Sequence, residues 1–286
     1  MAEISASMVM KLRKMSGQGM MDCKRALQDA DGDIDEAMTI LRKKGLATLE
    51  KRAGRETSEG LVICKSSDDG KVIALSALCC ETDFVAKSDD FKAAAEKMAE
   101  CAMACGEDEG ADNLLNTEMD GKTFNDVLTE TVSKTGEKTQ VGDYARFKLD
   151  GPGLIGTYIH FNSKVGAMVQ IETSDDSLAD GLKQTAVDIA MHITAIKPLG
   201  LDKESIDPEI IEKEKSIFAD QVKNKPENII EKIIEGKLNK YYSENCLTEQ
   251  AFVKDDSKTV AGFLEEAAKA AGGQAKIKRF VRFEVG

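Results

Sequence analysis

Tryptophan is missing from these 286 residues, proline occurs four times and histidine twice. The two imidazoles, His160 and His192, are far apart and lack the His-Glu-x-x-His spacing, which leaves a histidine-built zinc site little to draw on. There is no Gly-x4-Gly-Lys-Ser/Thr phosphate loop, because Gly136-Glu137-Lys138-Thr139 lacks the glycine before lysine. No Gly-x-Ser-x-Gly nucleophile elbow occurs, and Cys79-Cys80 are adjacent rather than spaced as a Cys-x-x-Cys redox pair. No apolar run approaches the roughly 20 residues that cross a bilayer, and the N-terminus lacks the apolar core of a signal peptide. Acidic residues outnumber basic ones, 51 to 39, for a formal charge of −12, so a polyanion such as nucleic acid is not the expected ligand. Seven cysteines with no paired framework fit reduced thiols. The expectation from these absences is a cytoplasmic protein that is not an enzyme, holds no cofactor or metal, and binds neither membrane nor nucleic acid.

What is present is patterned in blocks. In residues 1–45, Met8, Leu12 and Met15 repeat at helical spacing, Gly17-Gln18-Gly19 interrupts, and Cys23, Ala26, Leu27 and Ala30 mark a second helix. Asp31-Gly32 breaks again, and Ile34, Ala37, Met38 and Leu41 mark a third helix that Gly45 is expected to stop. This is a three-helix head with a small core. Met20 and Met21 are neighbours and cannot both face that core, so at least one is expected outside near the glycine turn. The charged residues 46–59 read as a linker with some helical patterning.

From Gly60 the period becomes that of strands. Residues 61–65 and 71–80 flank Asp69-Gly70, a hairpin signal. Ser88 with Asp89 and Asp90 opens a helix whose apolar stripe is Phe91, Ala95, Met98, Ala102 and Cys105. Cys101 and Cys105 have a metal-ligand spacing but no further ligand nearby, so they read as core. A polar stretch leads to a helix over 123–134. A second β unit is expected from about Val141, with strands over 154–161 and 164–172 around Asn162-Ser163, then a helix over 178–196. Asp188, His192 and Thr185 could share an edge of it, and a structurally satisfied histidine is the simpler reading. Hairpin followed by helix thus occurs twice, which suggests a duplicated α+β unit, with subdomains over 60–140 and over 141–202 plus 246–286. Between them, 203–245 carries two charged helices, each opened by proline (Pro208, Pro226), expected to form an inserted antiparallel hairpin. A helix over 260–271 and an alternating strand over 276–285 end the chain, the strand able to join the second sheet.

The stretch that fits none of these patterns is Glu81-Thr82-Asp83-Phe84-Val85-Ala86-Lys87-Ser88. It puts a large aromatic at a strand-to-helix turn, where function often sits. Phe84 is either a core plug, as most phenylalanines are, or a probe for another protein.

Four strings in order, Gly17-Gln18-Gly19-Met20-Met21-Asp22-Cys23-Lys24, Thr82-Asp83-Phe84-Val85-Ala86-Lys87, Asp188-Ile189-Ala190-Met191-His192 and Phe283-Glu284-Val285-Gly286, resemble the bacterial elongation factor Ts family over nearly the whole chain. The resemblance implies a ubiquitin-associated-like three-helix head, a core of two related α+β subdomains with antiparallel sheets, and a protruding helical hairpin. It implies guanine-nucleotide exchange on the translation GTPase elongation factor Tu, with a homodimer or heterotetramer left open. Asp83 and Phe84, flanked by Thr82 and Val85, would form the wedge that loosens GDP. Leu12, Met20 and Met21 match head positions that lean on the nucleotide-binding domain, and His160 matches a position near the GTPase's distal β domain. Two departures stand out. Where members often have glycine after the counterpart of His160, this chain has Phe161-Asn162-Ser163, so a different turn is expected. Many members also run on into a short helix after the strand that here ends at Gly286, so its contacts are expected to be missing or compensated. The rival readings are a scaffold or chaperone-like binder and, more remotely, a thiol enzyme using Cys79 or Cys80.

Overall fold

A computed structural model describes residues 4–223 and 225–286. The head is α1 (Ala6–Ser16), α2 (Met20–Asp29) and α3 (Ile34–Arg52). Ser5 caps α1 by accepting the Met8 N–H, and Gly17 ends it in the left-handed conformation that glycine adopts without strain. Val9, Leu12, Cys23, Leu27, Ala37 and Leu41 fill the small head core. Met15, expected in that core, is exposed instead.

The long third helix departs from expectation. Gly45 does not stop it; α3 runs on to Arg52, so most of the expected linker is helix and only residues 53–58 connect. Gly45 marks where α3 crosses a helix of the core: a Cβ there would lie 2.7 Å from the Thr129 carbonyl oxygen. The glycine is a contact point between backbones, a use that a one-dimensional stop rule does not distinguish from a break.

Next come the hairpin β1 (Glu59–Ser66) and β2 (Val72–Cys80), the single turn α4 (Asp83–Ala86), and α5 (Asp89–Ala104), which Ser88 caps. Then follow α6 (Ala111–Leu115), the ribbon β3 (Glu118–Met119) and β4 (Lys122–Thr123), and α7 (Phe124–Thr135), opened by a Thr123–Asp126 capping box. The strand β5 (Thr139–Lys148) pairs antiparallel with β2 and completes a sheet in the order β1-β2-β5. The expected start of the second β unit at Val141 is therefore displaced: that strand belongs to the first sheet, and the second begins after Lys148. Nothing in the alternation of Tyr144, Ala145, Arg146 and Phe147 says which hairpin the strand joins.

The second sheet is the hairpin β6 (Gly153–Ile159) and β7 (Val165–Thr173), completed from the far end of the chain. Between lie α8 (Leu178–Ile196), the charged pair α9 (Pro208–Val222) and α10 (Glu227–Asn245), the ribbon β8 (Ala251–Phe252) and β9 (Asp255–Thr259), and α11 (Val260–Ala270). The last strand, β10 (Ala275–Glu284), pairs with β7, giving the order β6-β7-β10. With β5 moved to the first sheet, the two units share one topology: a hairpin, helices, and a third strand returning beside the hairpin's second strand.

Both sheets are covered on two faces. Along β2, Ala74, Leu78 and Cys80 point to α5 and α7, while Ile73, Leu75, Ala77 and Cys79 point the other way. That second set meets Met168 of the second sheet and Val285, just past the end of β10. Ala167, Val169 and Ile171 on the opposite face of β7 pack on α8 and α11. The core is thus four layers, helix, sheet, sheet, helix, and alternation with period two sorts each strand's residues between two interiors. Arg279 on β10 joins the sheets, its guanidinium 4.1 Å from the Phe147 ring centroid and its Nε donating to Gln170 Oε1 at 2.8 Å.

The charged helices α9 and α10 pack on each other and on no other helix or strand to a comparable extent. A small cluster of Ile206, Ile211 and Cys246 with Leu238, Tyr241 and Tyr242 closes their base. Asn224, in the connection between them, lies outside the described residues, as do Met1–Glu3 of the head. Among the described residues no helix is long and apolar enough to cross a membrane.

Candidate functional site

Phe84 is not a core plug: its residue is 83% exposed. The local sequence explains how an apolar ring is held out. Thr82 caps α4 and accepts the Val85 N–H through Oγ1 at 3.4 Å. Ala86 is buried and half-buried Val85 packs on the α5 cluster, so the back of the turn is seated while Phe84 faces out. Ser88 Oγ donates to the Val85 carbonyl at 2.7 Å while Ser88 also caps α5.

Two carboxylates fasten the entry to the turn. Glu137, just beyond α7, accepts from the Thr82 N–H at 3.1 Å and from Thr82 Oγ1 at 2.8 Å. Glu81 accepts from both sides: the Lys138 N–H at 2.7 Å, and Arg52 Nη1 at 2.8 and 2.9 Å on its two oxygens. Burial alone would raise the Glu81 carboxyl, but the Lys138 N–H and Arg52 outweigh it and hold it below its ordinary value. Arg52 is the last residue of α3, so the head's long helix ends on the residue preceding the turn. Lys138 Nζ adds bonds to the carbonyls of Ala53 and Arg55 at 2.8 and 3.1 Å.

Asp83 is half-exposed and bonded to Lys87 Nζ at 2.7 Å, one helical turn on. That ammonium holds the Asp83 carboxyl below its ordinary range. The face around Phe84 is therefore a ring flanked by a carboxylate that stays ionised.

The other expected site residues separate. Met20 and Met21 are 51% and 58% exposed at the start of α2, and exposed Met15 joins them at the Gly17–Gly19 corner. Leu12 does not belong with them. It is fully buried at the centre of the head, where it can stabilise the module but cannot touch a partner. His160 is half-buried where β6 ends, its Nδ1 3.3 Å from Tyr158 Oη, and it stacks at a tilt on Phe161 with ring centroids 4.4 Å apart. Phe161 stands out in the sequence only as a departure from a pattern, yet it is 89% exposed. Helical spacing from Leu12 puts Met15 on the buried stripe, which hides its exposure from a reading of the sequence.

The remaining chemistry is structural. His192 is buried, receives the Val253 N–H on Nδ1 at 3.1 Å and so donates from Nε2 to Gln250 Oε1 at 2.9 Å. Burial lowers its pKa. Burial pushes the Cys79 thiol up to about 11 and Cys80 to about 12, so neither is a thiolate near neutrality. Among the described residues no three His, Cys, Asp or Glu side chains gather as metal ligands would.

A family pattern described as elongation factor TS matches residues 81–286. Over 285 residues the chain is 44% identical to the elongation factor Ts of a Nitratiruptor species, covering 99% of this chain and 93% of that protein. The elongation factor Ts of Clostridium botulinum is 43% identical over 286 residues, with the same coverage. The chain belongs to the elongation factor Ts family. A role in translation elongation comes with that membership, and the α+β architecture agrees with it. The elongation factor Ts pattern starts at Glu81, the residue bonded to Arg52, while similarity to the elongation factor Ts of Nautilia profundicola, 43% over 291 residues, spans the head as well.

Proposed function

We propose that this chain binds the translation GTPase elongation factor Tu in its GDP form, in the cytoplasm and without catalysing a reaction of its own, and drives GDP out by inserting Phe84. An exchange factor shifts an equilibrium only through differential affinity, so it must bind the nucleotide-free GTPase better than the GDP complex. Phe84 suits that task. An apolar ring enters a seam between two helices and holds it open without burying a charge. Helices displaced in this way move the Mg2+ ligands and the phosphate loop out of register, and GDP loses its grip. Asp83 bonds beside the entry point, and Met20 and Met21 rest on the nucleotide-binding domain.

The observation that carries this reading is an 83%-exposed phenylalanine on a turn fastened by Glu81 and Glu137. Removing such an anchor typically costs about 2 kcal/mol or more, roughly thirty-fold. Stopped-flow release of fluorescent GDP from elongation factor Tu tests it. Phe84→Ala is expected to fold normally and lose most of the stimulation, with Asp83→Ala milder. Unchanged release with Phe84→Ala ends the wedge account. The complex is also expected to dissociate when GDP and Mg2+ are added, which a plain scaffold would not do.

A further inference from the structure

Among the described residues the two most exposed large apolar side chains are both phenylalanines, Phe161 at 89% and Phe84 at 83%. They are distant in sequence, yet one strand brings them together. β1 begins at Glu59, paired with Cys80, two residues before the Thr82 cap of the Phe84 turn. Three residues along β1, the Val62 N–H donates to the Ser163 carbonyl at 2.7 Å, in the turn that carries Phe161. Three strand residues span roughly 10 Å. The gap is bridged by Glu59 and Lys164, 2.7 Å apart. After Lys87, Lys164 is the next charge holding the Asp83 carboxyl below its ordinary range, which places it near the base of the Phe84 turn.

The turn is built to hold its ring outward. The His160 N–H donates to the Val165 carbonyl at 2.9 Å, and the Ser163 N–H returns to the His160 carbonyl at 2.8 Å. Asn162 Oδ1 accepts the Lys164 N–H at 3.0 Å, and Ser163 takes a left-handed φ of 55°. The Phe161 ring rests against the His160 ring. The strip between the two phenylalanines carries Asp83, Lys87, Glu59 and Lys164, two acids and two bases paired with each other. Such a strip offers a partner little unbalanced charge, so the two rings are its available sources of affinity.

We infer that Phe161 is a second anchor for the same GTPase that Phe84 enters, gripping an apolar hollow beside that seam and setting how long the complex lasts. The inference rests on the function proposed above and adds a division of labour to it. Phe84 sits on the segment that opens the nucleotide site. Phe161 sits on a hairpin tip bonded to β1 and contributes binding that is the same before and after GDP leaves. Binding that is uniform across states lengthens the complex's life without speeding the step within it.

The experiment compares Phe161→Ala, Phe161→Leu and Phe84→Ala as full-length proteins, each checked for an unchanged melting temperature. Two quantities are read: the dissociation rate of the nucleotide-free complex, and the GDP-release rate at saturating factor. Phe161→Ala is expected to speed dissociation roughly tenfold or more while leaving the saturating release rate within about twofold. Phe161→Leu, still apolar, recovers most of the loss. Dissociation within about twofold of the parent protein overturns the inference, as does a loss confined to the saturating release rate, which would make Phe161 part of the wedge. Phe84→Ala, run in parallel, reports separately on the wedge: if it alone leaves release unchanged, the exchange reading fails on its own account.

Discussion

Leu12 and Met20 show how much rests on which way a side chain faces. The resemblance gives both the same expected role in the head, but Leu12 has no exposed surface and Met20 is half in solvent. Their substitutions should therefore diverge. Leu12→Ala leaves a cavity in a core of few residues and is expected to cost about 2–5 kcal/mol, enough to melt so small a head. Met20→Ala and Met21→Ala should change stability by no more than about 0.5 kcal/mol while weakening association with the GTPase. Denaturant titration and a binding titration separate the cases; a stable head in Leu12→Ala would contradict the packing described. What can be read of the site from the sequence is local. The string around Phe84 stands out because an aromatic falls where no strand or helix pattern asks for one, and Ser88 is a recognisable cap. Glu137 and Arg52 are not legible, because 55 and 29 residues separate them from their partners and neither lies in an unusual local pattern.

At the level of helices and strands, short-range signals succeed and long-range choices do not. The charged pair α9 and α10 can be placed because proline stands at the opening of each and isoleucines repeat at helical spacing. The head divides at Gly17 and Gly32 for similar reasons. Strand β5 is misassigned from sequence because its alternation fits either sheet, and only tertiary packing selects β2 as its neighbour. Gly45 misleads because helix propensity sees a weak residue, whereas the structure uses its missing side chain to bring α3 against α7. The consequence has a sign that propensity alone gets wrong. In an exposed helix, Gly→Ala stabilises by up to about 1 kcal/mol. Here the added methyl would meet the Thr129 carbonyl and Ser133, so Gly45→Ala is expected to destabilise by about 1–3 kcal/mol and loosen the head from the core. A gain in midpoint on urea unfolding would refute this.

For the molecule as a whole, the layered core makes stability depend on a histidine far in sequence from Phe84. His192 joins α8 to the Gln250–Val253 segment, and burial keeps its pKa below 6.5. The unfolded chain takes up the proton more readily than the folded one. Stability from this group is therefore complete above about pH 6.5 and is lost as pH falls towards the depressed folded value. One proton of difference gives a slope of at most about 1.4 kcal/mol per pH unit. Melting temperature is expected to drop between about pH 7 and about 5.5, before most carboxylates titrate, and His192→Gln should flatten that slope even if it lowers the plateau. A parent protein whose melting is level across this interval would show that the imidazole is not kept neutral by the fold.

The bond between Arg52 and Glu81 has a mechanical meaning. A module carried on a floppy tether finds its target independently and then waits for the rest of the chain to arrive. Here α3, tied to the first turn of α2 through Lys44 and Asp22, runs on to Arg52 at the doorstep of the protruding ring, so the exposed methionines and the ring are set like the jaws of a caliper. A GTPase whose surface matches that span meets both jaws in a single encounter, and one that does not is left holding only half the grip.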